Sequence, residues 1–524
     1  MLDDSYLRRV SVDGFVEVGP EALAFADVVR VARHGAGVRL SEVAVAEMLA
    51  SRGRVEELAE GATPAYGVST GFGALATRHI DPGSRAQLQR SLVRSHAAGS
   101  GPEVEDEVTR ALMLLRLRTL ASGHTGIRPK TARVLENLLN AHITPVVHEY
   151  GSLGCSGDLA PLSHVALTLM GEGVVRDADG VLMDASEALK QAGIEPVELA
   201  AKEGLALING TDGMLGMLVL AITDLTRLLK VADISAAMSV EGLLGTDRVF
   251  AEDLQALRPH PGQAASAGNL RRLLAGSGIM ESHRDGTCTR VQDAYSLRCA
   301  PQVAGAARDT VAHAAAVAER ELASAIDNPV VLADGRVESN GNFHGAPVGY
   351  VLDFLAIAVA DVASMSERRT DRMLDVARNH GLPAFLADDP GVDSGHMIAQ
   401  YTQAAIVSEL KRLAVPASVD SIPSSAMQED HVSMGWSAGR KLRRAIDGLT
   451  RVLAVEVLTA ARAIELRAPH RPAAGTGAAV ALLRESVGGP GPDRFLAPEI
   501  ESVVRLVADG SLVTSTEAAT GPLS

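Results

Sequence analysis

Apolar residues recur at intervals of three and four along most of the chain, which is the spacing of amphipathic helices. Residues 105–121 (EDEVTRALMLLRLRTLA) also carry acidic residues in the first turn, where the helix dipole favours them. Beyond residue 214 the periodic segments lengthen, and several are apolar around most of their circumference, as in buried helices. These segments are 214–243, 302–326, 346–378, 400–414 and 435–467. We therefore predict an all-α fold dominated by a long antiparallel helical bundle.

Strand patterns are short and lie beside turn pairs. The segment VSVDGFVEV alternates around Asp13-Gly14, and Asp-Gly pairs recur at Asp179-Gly180 and Asp334-Gly335 with valines and leucines nearby. These pairs tolerate the positive φ angles of tight hairpin turns. The sequence thus predicts minor β-hairpins at these three places.

Long Gly-rich loops are concentrated in the first part of the chain. They are residues 61–74, 95–102, 150–163 and 203–213. Irregular segments on a rigid scaffold often carry the chemistry of an enzyme. We therefore predict an N-terminal catalytic region over residues 1–213 and a C-terminal helical bundle over residues 214–524 that completes the active site.

Composition supports helices and narrows the range of partners. Hydrophobic residues make up 47% of the 524 residues but aromatic ones only 3%, so the apolar mass is mostly small and aliphatic, as in closely packed helices. The net charge of −15 disfavours binding to nucleic acid or to anionic membranes. The one basic cluster, RKLRR at 440–444, is expected to be a solvated helix face.

Cysteine usage and apolar runs indicate a cytoplasmic protein. Cys155, Cys288 and Cys299 are too few and too scattered for a disulfide framework. The most apolar run, Met214 to Ile222, is too short to span a bilayer. The N-terminus, MLDDSYLRRV, does not have the pattern of a signal peptide.

Several common chemistries have no matching motif. The chain has no HExxH motif and no CxxC pair, and no nucleotide-binding fingerprint follows a strand. A GxSxG string at Gly67 to Gly71 lacks the strand and helix that flank a nucleophile elbow. We predict no metal and no nucleotide cofactor.

The segment GSLGCSGDLAPLSH, from Gly151 to His164, is the most informative stretch of the sequence. Its spacing favours a Gly-rich turn before a helix capped near Asp158. A phosphate-binding loop is the alternative, but such loops follow a strand and usually contain Lys with Ser or Thr. Spacing alone therefore points to a structural turn.

The same segment resembles the signature of the ammonia-lyase and aminomutase family, in which an Ala-Ser-Gly triad cyclises into a methylidene-imidazolone. The resemblance implies that a 4-methylidene-imidazol-5-one (MIO) group forms from Cys155-Ser156-Gly157. Gly157 supplies the attacking amide nitrogen and bends easily because it has no Cβ, while Ser156 loses its hydroxyl as water. The side chain at position 155 takes no part, so cysteine in place of alanine is compatible with ring formation.

The resemblance extends over roughly residues 60 to 440 in ordered blocks. Seven further motifs follow the family's order: YGVSTGFGALA (66–76), LQRSLVRSHAAGSG (88–101), LALINGT (205–211), QDAYSLRCAPQVAGAARD (292–309), DNP (327–329), GNFHGAPV (341–348) and QEDHVSMG (428–435).

The resemblance also implies catalytic roles for residues that would otherwise be unremarkable. By itself Tyr66 would be an aromatic that fills a gap in the core, and Arg298 would be half of an ion pair. In the family's pattern Tyr66 is the base that removes a β-proton, and Asn209 stabilises developing charge. Arg298 holds the substrate carboxylate with help from Tyr295, which would share its face if the segment is helical.

The remaining matched residues bear on substrate choice. Ser95-His96 resembles the histidine-acting version of the selectivity position, although tyrosine aminomutases can carry the same pair. Glu429 lies where aromatic lyases and aminomutases tend to have Asn-Gln, and a carboxylate can accept a hydrogen bond from an imidazole N–H. Its alternative role is an acid at a helix N-terminus. Gln428 and Phe343 are assigned to the same pocket.

Together these matches imply the elimination of ammonia from L-histidine to give trans-urocanate. Two alternatives stay open: a tyrosine or phenylalanine lyase or aminomutase of the same family, and a non-catalytic helical scaffold. The resemblance further implies a homotetramer in which each active site is shared among chains. The long apolar helices agree with this, since a lone subunit would expose a large hydrophobic surface.

Overall fold

The computed structural model describes residues 14–60, 70, 80–284 and 291–524. Tyr66 and Cys288 lie outside these ranges. Helices dominate the described residues, which confirms the all-α prediction. They are α1 (Phe25–His34), α2 (Glu42–Glu60), α3 (Arg85–His96), α4 (Asp106–Ala121), α5 (Pro129–Asn140), α6 (Leu159–Leu169), α7 (Ala185–Gln191), α8 (Glu203–Ile208), α9 (Asp212–Gly242), α10 (Glu252–Ala256), α11 (Pro261–Leu274), α12 (Gly278–Glu281), α13 (Tyr295–Arg298), α14 (Ala300–Ala323), α15 (Ala346–Leu374), α16 (Met397–Leu413), α17 (Gly435–Glu465), α18 (Ala474–Arg484), α19 (Ala497–Ala508) and α20 (Ser511–Thr520).

Short strands lie between the helices. They are β1 (Phe15–Val18), β2 (Gly37–Leu40), β3 (Ser100–Glu103), β4 (Thr144–Pro145), β5 (His148–Tyr150), β6 (Val174–Arg176), β7 (Leu182–Asp184), β8 (Val330–Val331) and β9 (Val337–Glu338). They pair as β1-β2, β3-β5, β4-β6-β7 and β8-β9.

The long helices α9, α14, α15 and α17 pack against one another and form the centre of the molecule. They correspond to four of the long periodic segments predicted from the sequence, and α16 packs on α15 and α17 at the side of this bundle. The interior of α9 and α17 is filled with buried leucine, valine and alanine side chains. The proposed division of the chain at residue 213 stays a prediction.

An ionic cluster crosses this apolar interior. Arg369 of α15 donates to Glu456 of α17 at 2.8 Å, and both side chains are almost completely buried. The same carboxylate accepts hydrogen bonds from Ser235 and Ser239 of α9, at 2.8 and 2.7 Å. Because directional bonds fix distances along the helix axes, this cluster sets the register of three helices.

Two of the three predicted hairpins are present. β6 and β7 pair antiparallel on either side of Asp179-Gly180, and β8 and β9 do so around Asp334-Gly335. The hairpin predicted around Asp13-Gly14 includes residues 10–13, which lie outside the described residues. The described strand β1 pairs in parallel with β2, and α1 forms the connection between them. Val16 and Val18 are buried and alternate with exposed residues along β1. This alternation shows which side chains face the core, but it does not show which strand pairs with β1.

The basic cluster at 440–444 is not the solvated face that its composition suggested. Arg440 forms ion pairs with Glu149, at 2.7 Å, and with Glu105. Arg443 lies between Glu107 and Asp224. Acidic residues from distant parts of the chain meet this face of α17, which attaches it to α4, α9 and β5.

In the part of the chain that the structure describes, α15 is the one helix long and apolar enough to cross a membrane. Its most apolar window is 61% buried inside the protein, and it packs against α9, α14, α16 and α17. A core helix satisfies the same criteria of length and composition, so α15 is weak evidence for a membrane span.

Candidate active site

Gly157 is pressed against the loop that follows α8. Its φ angle is +75°, and its backbone forms a bridge with Gly210. A Cβ atom at position 157 would lie 2.1 Å from the carbonyl oxygen of Gly210, so only glycine fits there. The main-chain N–H of Asp158 donates to the same oxygen at 2.7 Å. The turn at Cys155-Ser156-Gly157 is therefore held tightly against residues 209–211.

The Asp158 side chain ties this turn to the bundle. It accepts hydrogen bonds from the main-chain N–H groups of Gly213 and Met214, both at 2.9 Å, and from the Ser152 hydroxyl at 2.9 Å. Complete burial raises the pKa of its carboxyl group to about 7. The expected cap near Asp158 thus serves the first turn of α9, since the side chain makes no capping bond to its own helix, α6.

Three separate segments interlock at Gly154. Its carbonyl oxygen accepts hydrogen bonds from the Ser433 hydroxyl, at 2.6 Å, and from the main-chain N–H of Gly345, at 3.2 Å. The N–H of Met434 donates to the carbonyl of Leu153 at 2.8 Å. The motifs at 341–348 and 428–435, far apart in sequence, therefore both contact the turn that carries Ser156.

Glu429 lies directly beside the predicted triad. Its Oε2 atom accepts hydrogen bonds from Cys155 Sγ at 3.1 Å and Ser424 Oγ at 2.9 Å, and its Oε1 atom accepts one from Ser156 Oγ at 3.3 Å. Burial, together with the nearby Glu429 carboxylate, raises the pKa of the Cys155 thiol to about 12. The structure thus brings together Glu429 and the triad Cys155-Ser156-Gly157, all of which the sequence analysis placed in the active site.

The other predicted pocket residues are buried to different degrees. His96 is the last residue of α3; its Nδ1 lies 3.1 Å from Ser95 Oγ. Burial lowers its pKa, an effect that the charge of Glu429 partly offsets. Phe343 is half-buried in the turn before α15, two residues from Gly345, and Gln428 is exposed next to Glu429.

Asn209 ends α8 and is 2% exposed. Its Nδ2 donates to the carbonyl oxygen of Asn328 at 3.1 Å, while its Oδ1 has no hydrogen-bond partner in the described chain. Arg116 donates to the Asn209 main-chain oxygen at 3.2 Å and pairs with Asp212. Asn209 therefore presents a buried, unsatisfied acceptor from a rigid support.

A second buried ion pair holds the Asn328 segment. Lys202 and Asp327 form it with almost no exposure of either side chain, and burial lowers the pKa of Lys202. Arg116 also donates to the carbonyl of Ile326. The segment that fixes the Asn209 amide is itself held by charges that have been removed from solvent.

Tyr295 and Arg298 share one face of α13, as expected for a helical segment. The guanidinium carbon of Arg298 lies 4.6 Å from the centre of the Tyr295 ring. Tyr295 is 69% exposed, and Arg298 Nε is buried without a partner in the described chain. Among the described residues, no hydrogen bond or ion pair joins either side chain to residues 155–157. Within the described chain the two residues therefore have no direct polar link to the Ser156 cluster.

Sequence reasoning missed several residues that build the site. Ser424 lies in a polar loop where nothing in the pattern distinguishes it, whereas Ser433 lies within the matched motif at 428–435 but was not assigned a role. Gly210 follows Asn209 in a matched motif, but its close approach to Gly157 is shown only by the structure. Tyr66, the predicted base, lies outside the described residues.

Comparison with known proteins identifies the family. Residues 23–485 match the family model described as aromatic amino acid lyase. The chain belongs to the aromatic amino acid lyase family, which confirms the resemblance carried by its motifs.

Individual relatives refine this assignment. The chain is similar to the histidine ammonia-lyases of Streptomyces avermitilis (67% identity) and Streptomyces coelicolor (66%), with 97% of this chain and 99% of each relative covered. Among solved structures it is similar to histidine ammonia-lyase from Trypanosoma cruzi, with a TM-score of 0.89, 36% identity and coverage of 97% of this chain and 96% of that one. It is also similar to tyrosine aminomutase from Streptomyces globisporus, with a TM-score of 0.91, 38% identity and coverage of 97% and 100%.

Proposed function

We propose that this protein eliminates ammonia from L-histidine without oxidation, giving trans-urocanate. The observation that carries the proposal is the position of Glu429, whose carboxylate oxygens lie 3.1 and 3.3 Å from Cys155 and Ser156. A substrate bound at Ser156 would find there an acceptor for an imidazole N–H. The high identity to Streptomyces histidine ammonia-lyases over almost the whole chain supports the same substrate.

Cys155-Ser156-Gly157 is the source of the electrophile in this proposal. The Gly157 nitrogen bonds to the Cys155 carbonyl carbon and the carbonyl oxygen leaves as water; Ser156 then loses its Cα hydrogen and its hydroxyl as a second water. The resulting 4-methylidene-imidazol-5-one would supply an electron sink that turns the α-amine into a leaving group. The left-handed conformation of Gly157 fits such a group, because ring closure requires a tight bend at this residue.

The chain's own side chains bind and orient the substrate. Glu429 accepts the imidazole N–H, with His96 beside it, and Phe343 and Gln428 line the same pocket. Asn209 has a second Nδ2 hydrogen beyond the one donated to Asn328, and it is available to developing negative charge in the manner of an oxyanion hole. Tyr66 removes the β-proton.

Glu429 also discriminates against phenylalanine. A phenyl ring offers its carboxylate no hydrogen-bond donor. Leaving a half-buried carboxylate oxygen without its partner would cost on the order of several kcal/mol, which disfavours phenylalanine. The tyrosine alternative is disfavoured by sequence, since identity is 67% and 66% to the two Streptomyces histidine ammonia-lyases but 38% to tyrosine aminomutase.

We propose that the active protein is a cytoplasmic homotetramer whose chains share active sites. Arg298 Nε and Gln302 Oε1 belong to residues four positions apart in sequence and have no partner among the described residues of the chain. The exposed apolar residues Tyr350, Phe354 and Ile357 line one face of α15. Burying this face and these polar atoms against a second chain would bring Tyr295 and Arg298 to a neighbouring Ser156 cluster, where Arg298 would hold the substrate carboxylate.

Incubation of the purified protein with L-histidine tests the proposal, with urocanate followed by its ultraviolet absorbance. We expect urocanate from L-histidine, and neither coumarate from tyrosine nor cinnamate from phenylalanine. The Ser156→Ala control should stay folded and lose nearly all turnover. Intact mass should be lower than the sequence mass by two waters, about 36 Da. Turnover by a protein of unmodified mass would refute the proposal.

A further inference from the structure

The Glu429 carboxylate is surrounded by three side-chain donors that divide unequally between its oxygens. Among the described residues, Oε2 accepts from the Cys155 thiol and from the Ser424 hydroxyl, whereas Oε1 accepts only from the Ser156 hydroxyl. A carboxylate has about four lone-pair sites, so Oε2 is fully engaged by two donors. The unequal hydrogen bonding of the two carboxylate oxygens therefore depends on two segments that are distant in sequence, one with Cys155 and Ser156 and the other with Ser424.

Ring closure at the triad removes one of these donors and keeps the other two. The Ser156 hydroxyl leaves as water in the proposed reaction, so Oε1 loses its partner. The Cys155 side chain is not consumed, and Ser424 lies outside the triad. The mature protein therefore has a carboxylate with one oxygen engaged and the other open.

We propose that Cys155 and Ser424 are positioning residues that hold Oε2 of Glu429 and thereby present Oε1 alone to the substrate imidazole. This inference rests on the proposed function and deepens it. Cysteine in place of the family's alanine then has a purpose, because alanine at position 155 would offer Glu429 no donor.

The local chemistry supports a thiol that acts as a donor. Its raised pKa keeps Cys155 protonated at neutral pH, so the contact is an S–H donating to a carboxylate. The Ser424 contact is reinforced by the backbone, since the N–H of Ser424 donates to the carbonyl of Glu429 at 2.9 Å, and the N–H of Glu429 donates back at 3.3 Å. Position and orientation of the carboxylate are thus fixed together.

Infrared spectroscopy of the S–H stretch tests the thiol contact without any turnover. The Cys155→Ala difference spectrum assigns the Cys155 band. We expect that band to be shifted to low frequency by the hydrogen bond, and Glu429→Leu to return it to the position of a free thiol. A Cys155 band that does not move in Glu429→Leu would overturn the proposal.

Substrate binding tests the positioning role. In a Ser156→Ala background, which lacks both the hydroxyl and the ring, calorimetry should show that L-histidine binds about three- to tenfold more weakly when Cys155→Ala or Ser424→Ala is added, the loss of about one hydrogen bond. In the mature enzyme the same changes should raise KM more than they lower kcat. Cys155→Ser should restore binding to within about twofold, because serine keeps a donor.

A neighbouring serine provides the matched control. Ser425 is exposed and lies next to Ser424, so Ser425→Ala should leave binding unchanged. Equal binding by the Cys155→Ala, Ser424→Ala and Ser425→Ala variants would refute the positioning role. Failure of the proposed function would be recognised separately, because the unaltered protein would then produce no urocanate.

Discussion

The helical bundle and the loops around Ser156 both contain buried residues, but the two regions are held together in different ways. In α9, α14, α15 and α17, packing of aliphatic side chains dominates, and the ionic cluster around Glu456 is set within it. Around Ser156, in contrast, buried polar groups dominate: Asp158, the Arg116–Asp212 pair and the Lys202–Asp327 pair.

The difference determines how tolerant each region is of change. An aliphatic core accepts exchanges that conserve volume at a cost usually below about 1.5 kcal/mol. A buried polar network does not, because each lost partner leaves a desolvated group unsatisfied. The bundle provides a rigid frame, and the loops use directional bonds to place a few atoms accurately.

The largest effect is expected at the closest contact of the loop region. Gly157→Ala would place a Cβ atom 2.1 Å from the Gly210 oxygen. We expect turnover to fall by at least about a thousandfold, the order of magnitude associated with losing covalent or electrostatic catalysis, together with loss of the 36-Da mass decrease. Kinetics and intact mass measure these outcomes.

Gly180→Ala is the matched control for this variant. Gly180 also has a positive φ angle, +80°, but apart from Gly180 and its two chain neighbours no heavy atom of the described residues lies within 4 Å of the point that a Cβ would occupy there. It should retain normal mass and turnover. Equal losses in both variants would attribute the effect to backbone strain instead of the contact with Gly210.

The next effect concerns the ionic cluster of the bundle. Glu456→Ala leaves the buried Arg369 guanidinium without its partner, and we expect the free energy of unfolding to fall by about 3–5 kcal/mol. Urea denaturation measures the change. The double variant Arg369→Met, Glu456→Met replaces both charges with apolar side chains and should be more stable than the single variant. If the double variant were equally unstable, the cost would come from packing and not from the unpaired charge.

A smaller, pH-dependent effect is expected at His396, a buried residue whose Nδ1 lies 3.1 Å from Thr459 Oγ1. Burial lowers its pKa to about 3 from the usual 6.5. Below pH 6.5 the unfolded chain binds a proton that the folded chain excludes. Stability is therefore lost as pH falls from about 6.5 towards 3, by about 1.4 kcal/mol per pH unit.

Urea denaturation at pH 6.5 and pH 5 measures this loss. We expect it to be smaller by about 2 kcal/mol in His396→Gln, because glutamine does not titrate in this range. An identical pH dependence in the two proteins would contradict the assignment to His396.

The smallest effect is expected at the N-terminus of α2. The hydroxyl of Ser41 accepts a hydrogen bond from the main-chain N–H of Ala44 at 3.1 Å. Ser41→Ala should lower the free energy of unfolding by about 1 kcal/mol, and Ser41→Asp, which keeps an acceptor, should not. A loss of equal size in both variants would rule out capping as the cause.

The contrast between the two regions also explains what the sequence could predict. Hydrophobic periodicity is local, so α4, α9, α15 and α17 were all predictable. The partner of β1 was not, because alternation shows which residues are buried but not which strand they meet. The ion pairs of Arg440 depend on acids almost 300 residues or more away in sequence, which its own segment does not reveal.

The candidate site was predictable through its motifs but not through its geometry. Glu429 was singled out for its chemistry, and the structure places it beside Ser156. Ser424, which holds the same carboxylate, had no distinguishing signal because a serine in a polar loop is ordinary. Tyr295 and Arg298 were correctly placed on one helix face, where the Arg298 guanidinium carbon lies 4.6 Å from the centre of the Tyr295 ring.

The interlock at Gly154 has a consequence for biosynthesis. The carbonyl oxygens of Leu153 and Gly154 are bound by groups from residues 345, 433 and 434, which leave the ribosome almost 200 to 280 residues after the triad. If the proposed ring requires this clamp, a nascent chain emerges with an ordinary serine at position 156. The newly made protein would then be inert until translation is nearly complete, and truncated chains would not form the ring.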